Sequence, residues 1–259
     1  MHCSKIESGV QLFSRVNRKS FLEDINSDLF PEGGPCPNQV IEITGDPKID
    51  KNDLLIDFIV KCILPKKYNK EWKDSAAVLI ITEFQISILK IIKVIETLLN
   101  KYNVTDSKKV VIQNALKNLI IFNCYSLEEL EVTFYYVEKI IQCNENVNLV
   151  VIDNIAAHFW ISSYNLSDTP TYYHHSLKMF EILYNVIKSL QVLLIFVRHE
   201  RTTNRKKFNH RVDFRIEIER ENQSYKAVVT NYDKHTVIQV PFHLKTILEF
   251  SPAINKSSS

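Results

Sequence analysis

Glycine is scarce. The 259 residues contain four: Gly9, Gly33, Gly34 and Gly45. Glycine supplies the positive-φ positions of tight turns and phosphate loops, so an ordinary phosphate-cradling loop is hard to build here. Paired cysteines are missing too. Cys3, Cys36, Cys62, Cys124 and Cys143 are odd in number, and no two have CxxC spacing. They fit neither a disulfide framework nor a structural zinc site. Free or buried thiols in a reducing compartment remain. Met1 to Gly9 lacks the apolar run of a signal peptide. No stretch approaches the ~18 uninterrupted apolar residues of a membrane span, so no membrane partner is expected. A net charge of +2 is too small to name a partner by itself.

What is present suits one large α/β domain or two small ones. Apolar residues make up 45% and charged residues 24%, enough for a sizeable core. Residues 31–37 are rich in Pro and Gly and read as a loop or short linker. Apolar runs at 40–43, 76–81, 119–122, 149–152 and 192–197 read as buried strands. Helical spacing fills 54–62, 86–99, 127–141 and 174–190 between them. Nearly all-apolar strands alternating with amphipathic helices predict a mostly parallel sheet flanked by helices. From Val212 the pattern changes to apolar/charged alternation, and short connections predict antiparallel strands over 212–219, 225–230 and 236–240. Residues 251–259 read as a disordered tail. The expected division is a lead segment 1–38, a core 39–250 and the tail.

Four features carry chemistry. The first is the octet Gly45-Asp46-Pro47-Lys48-Ile49-Asp50-Lys51-Asn52, between a strand and a helix. It sits where G-x-x-x-x-G-K-[ST] holds phosphates and magnesium. Gly45 and Lys51 match. Asp50 replaces the second glycine and Asn52 the hydroxyl. Read alone, the octet is also a Gly-Asp-Pro turn before an Asp/Asn-capped helix. The second is Asp153, which emerges from the end of an apolar strand. There it holds magnesium or merely caps a turn. The third is Glu83, beyond another strand end, which activates water or lies solvated in a loop. The fourth is a basic stretch with Arg198, Arg201, Arg205, Lys206, Lys207 and Arg211, opposed only by Glu200. Such a loop contacts a phosphate backbone or is simply solvated.

The combination of Glu7-Ser8-Gly9, the run Lys61 to Lys66, Ile152-Asp153-Asn154 and Phe159-Trp160-Ile161 resembles the eukaryotic RecA-like recombinase paralogues, over roughly residues 7–230. The resemblance implies a RecA-like P-loop core without the family's N-terminal helical domain. It gives Gly45 to Asn52 the Walker-A place and Asp153 the Walker-B place. It gives Glu83 the water-orienting place, and 161–173 and 198–211 the places of two DNA-binding loops. Active members carry a Thr-Asn-Gln-like sensor where this chain has Arg198-His199-Glu200. The resemblance therefore implies a non-catalytic or weakly ATP-binding subunit, with ATP and magnesium as doubtful cofactors. Its partners would be the D paralogue of the recombinase family and single-stranded or branched DNA, in the nucleus. Two other readings stay open: an active DNA-stimulated ATPase, and an unrelated P-loop-like small-molecule kinase.

Overall fold

The computed structural model describes residues 22–46, 48–160, 171–199, 211–221 and 224–242. The parallel strands form where the apolar runs predict them. β1 (Val40–Gly45), β2 (Ala76–Ile81) and β4 (Val147–Ile152) are buried along their whole length. β5 (Leu193–His199) is buried up to its last residue, and β3 (Leu119–Asn123) lies half-exposed. Beyond them come β6 (Phe214–Glu221), β7 (Ser224–Asn231) and β8 (Thr236–Phe242). Together they make one eight-stranded sheet in the order β3-β2-β4-β5-β1-β6-β7-β8. β1 to β5 are mutually parallel, and β6 runs parallel to β1. Direction reverses only at β6–β7 and β7–β8. The expected antiparallel part thus joins the parallel part through a parallel pair.

Helices cover both faces because the strand residues alternate between two apolar sets. On one face, Ile41, Ile43, Leu79, Val151 and Ile195 pack against α1 (Asn52–Ile63), α2 (Ile88–Lys101) and α3 (Lys108–Lys117). On the other, Val40, Val78, Ile80, Val150 and Phe196 pack against α4 (Leu127–Cys143) and α5 (Tyr172–Ile187). Local chemistry starts these helices. Ser87 accepts the Lys90 N–H at α2, and Ser126 accepts the Glu129 N–H at α4. α3 falls outside the sequence expectation. Only Val111 and Ala115 of its ten residues are buried, too few for a clear apolar stripe.

The described part of the lead segment, from Leu22, packs into the core. Leu22, Ile25, Leu29 and Phe30 are buried with the β1–α1 side, and Phe30 meets Phe214 edge-on at 5.0 Å. Gly45 is the glycine that the fold demands. Its φ is +143°, and a Cβ there would stand 2.5 Å from the Ile218 carbonyl oxygen on β6. Among the described residues, no helix is long and apolar enough to cross a membrane. The 251–259 tail lies outside the described residues.

Candidate functional site

Parallel strands deliver their loops to one edge of the sheet, and open α/β sheets hold ligands beyond that edge. Lys51 follows β1, Glu83 follows β2, Asp153 follows β4 and His199 ends β5. They meet in a cleft of about 440 Å³, whose lining also includes Lys48, Asp50, Asn52, Gln85, Trp160 and Tyr172. The structure therefore brings Lys48, Asp50, Lys51, Asn52, Glu83 and Asp153 together in one cleft. Gly45 stays behind them, at the end of β1.

The polar groups of the cleft satisfy one another. Lys51 is 2% exposed. Its ammonium donates to the Asp46 carbonyl at 2.8 Å and the Ile49 carbonyl at 3.1 Å, and lies 3.4 Å from His199 Nδ1. An ammonium has three hydrogens, and here three acceptors face it. Because Lys51 can only donate, Nδ1 is the accepting nitrogen, which assigns the ring proton to Nε2. Nε2 donates to Glu83 Oε2 at 3.2 Å, and Asn154 donates to Glu83 Oε1 at 2.6 Å. A line of contacts therefore runs from Lys51 through His199 to Glu83 and Asn154. Burial opposes ionisation of Glu83, but the hydrogen bond from His199, with help from Asn154 and the nearby Lys51 charge, holds its carboxyl below its ordinary value.

Asp153 is equally engaged. Its Oδ1 accepts the Thr82 N–H at 2.8 Å and the Thr82 hydroxyl at 2.6 Å, while Oδ2 accepts the Glu83 N–H at 3.2 Å. Burial pushes its carboxyl up despite those donors. At α1, Lys51 supplies no side-chain cap. Asp50 caps instead, accepting the Asn52 N–H at 2.8 Å. The Asn52 amide donates to Gln85 at 3.1 Å. A magnesium-bound triphosphate needs a lysine, helix N–H groups and a free oxygen ligand. In this cleft the Lys51 ammonium, the Asn52 N–H and both Asp153 oxygens each engage protein groups, which a bound nucleotide would have to displace or share.

Sequence reasoning placed Glu83 and Asp153 beyond strand ends and named His199 and Asn154 nearby, but it gave no contacts among them. Thr82, Asn154 and His199 complete the network. Their signal was position, since each adjoins a strand end. The basic stretch needs one correction. Arg198 is a strand residue of β5, 4% exposed, and not part of a phosphate-contacting loop. Its Nε and Nη2 reach Glu42 Oε1 at 2.7 and 2.6 Å. A buried carboxylate demands a cation, and Arg198 supplies it. Arg211 is exposed and lies over the Tyr184 ring at 5.2 Å. Arg201, Arg205, Lys206 and Lys207 lie outside the described residues, as does most of 161–173.

Strand order, flanking helices and a cleft at the carboxyl edge define a RecA-like α/β core with antiparallel strands added at its C-terminal side. No family model matches the chain. The chain is similar to the DNA repair protein XRCC2 of Mus musculus, with 22% identity over 192 residues. That stretch is 73% of this chain and 66% of the mouse protein, just under two-thirds of the relative's length.

Proposed function

We propose that this chain is a recombinase paralogue that serves homologous-recombination repair as an assembly subunit and not as an ATPase. The observation that carries the reading is the Lys51 ammonium, engaged by the two loop carbonyls and facing His199. A lysine so placed must give up its loop partners before it can reach a γ-phosphate. The likeness to a DNA repair protein supports the process. Nuclear location follows from the same reading.

The sheet supports assembly. Among the described residues, β3 pairs only with β2 and forms an edge of the sheet. Its Leu119, Ile120, Ile121 and Phe122 are half-exposed, and the strand carries no proline and no charge. β8, at the opposite edge, carries Pro241. An open, uncharged edge invites an added strand, and alternate side-chain pockets then select it. The occupant we assign to β3 is an extended apolar segment of a neighbouring recombinase paralogue, the D paralogue being the first choice. Basic residues 201–211 remain the proposed contact for single-stranded or branched DNA.

Co-expression with the D paralogue, followed by light scattering, tests the assembly. A one-to-one complex is expected, and replacing Ile121 by lysine should abolish it. Filaments formed by the chain alone would reject the reading. ATP turnover, with and without single-stranded DNA, should equal that of a Lys51→Ala control. Replacing Arg205, Lys206 and Lys207 by alanine should flatten the salt dependence of DNA binding, by roughly one unit of log–log slope for each phosphate no longer neutralised. An unchanged slope assigns those residues to solvent.

A further inference from the structure

The start of α1 is a place where peptide N–H groups converge, and such a terminus attracts an anion. In this chain an anion is already there. The Asp50 carboxylate accepts the Asn52 N–H through Oδ1 at 2.8 Å, and its Oδ2 meets the Lys90 ammonium at 3.3 Å. Lys90 is anchored in turn by Asp53 at 2.9 Å. A helix N–H and a lysine on one carboxylate reproduce the two kinds of contact that a phosphoryl group draws from a P-loop. Lys51 has meanwhile turned into the loop, where its carbonyl partners replace phosphate oxygens.

We propose that Asp50 is an internal anion that takes the place of a phosphoryl group at the α1 terminus and thereby keeps phosphate ligands out of the cleft. The inference rests on reading the cleft as a former phosphate site. It makes Asp50 the residue that decides ligand class. The side chain stays half-exposed, so its contact is a replaceable cap and not a core element.

Two variants of the full chain separate charge from shape. Asp50→Asn keeps an oxygen acceptor for the Asn52 N–H and removes only the charge. Asp50→Gly removes both, and Asp50→Asn keeps the test decisive if the glycine variant loses its fold. The probe is inorganic pyrophosphate, titrated calorimetrically without magnesium. Asp50→Asn should bind it at least about tenfold more tightly than the parent chain, the effect of removing one like charge at short range. A smaller gain, or no binding by either protein, overturns the proposal. Capture of the D paralogue by the parent chain is measured in parallel. A chain that captures the paralogue and gains no pyrophosphate affinity at Asp50→Asn overturns this inference alone.

Discussion

Glu42 on β1 and Arg198 on β5 form an ion pair inside the sheet, with Glu42 1% exposed and the guanidinium 2.6 Å from its carboxylate. Arg215 on β6 approaches the other oxygen of the same carboxylate at 3.8 Å. Three neighbouring strands are thereby tied through one glutamate. Removing one member of a buried pair strands the other charge, which costs roughly 3–5 kcal/mol. Arg198→Ala should lose stability on that scale in urea denaturation. Joint replacement by Glu42→Leu and Arg198→Met should recover much of the loss. A near-neutral Arg198→Ala would mean that Arg215 takes over as the partner of Glu42.

Gly45→Ala should be destabilising through the backbone alone. A φ of +143° disfavours a side chain, and the new Cβ would stand 2.5 Å from the Ile218 carbonyl oxygen. Strain of this kind costs about 1–3 kcal/mol before any clash is relieved. The β1–β6 contact should widen, which amide chemical shifts of Ile218 would report. Unchanged shifts and unchanged stability would contradict the described packing.

Glu83 gives the site a pH signature. Its folded carboxyl sits below its ordinary value of 4.5. A carboxylate depressed on folding binds fewer protons in the folded state than in the unfolded one. Its contribution is present above the unfolded value and is lost as pH falls through the folded value. The stability difference between the parent chain and Glu83→Gln should therefore be full at pH 7 and shrink below pH 4.5. Asp153 acts with the opposite sign, because burial raises its carboxyl, so its contribution falls as pH rises through that raised value. Glu83→Gln also removes one of the charges that raise Asp153, so an Asp153→Asn background is needed to isolate the first effect. A difference that grows on acidification would reverse the assignment.

Thiol labelling should follow burial. Cys143 and Cys36 are exposed, whereas Cys62 and Cys124 are buried. Burial and nearby Glu23 hold the Cys36 thiol above its ordinary value, so it should react more slowly than Cys143. Burial pushes the Cys62 thiol further up, and Cys124 also lies above its ordinary value. Both should label only on unfolding. In a Cys3→Ser background, mass spectrometry would read two fast and two protected sites. Rapid labelling of Cys62 in the native state would expose a gap in the α1 side of the core.

The parallel core was legible because its strands are continuous apolar runs whose partners need not be known. Leu149 to Asp153 announced both a buried strand and a carboxylate at its end. α3 escaped because a helix held by Val111 and Ala115 leaves Val110 exposed and carries little periodicity. Arg198 was misplaced for a different reason. A charge after an apolar run resembles the start of a loop, and its partner is 156 positions away. The warning was Glu42, a carboxylate amid Val40, Ile41 and Ile43. A buried anion implies a buried cation somewhere in the chain. The site was half legible. Strand ends fixed where Lys51, Glu83 and Asp153 would stand, but not that Lys51 would turn inward. That outcome depends on His199 and on two carbonyls of its own loop, which no spacing encodes.

β1 is clamped on both sides. It shares one ladder with β5 and another with β6, and Gly45 brings its end against Ile218. Opening β1 to solvent requires both ladders to part at once. Its amides should then exchange with deuterated water only through global unfolding, while β3 and β8 exchange by fraying at the margins. The inner strands that feed the cleft, β1 among them, are thus the slow clocks of the molecule, and their exchange rates measure the stability of the whole.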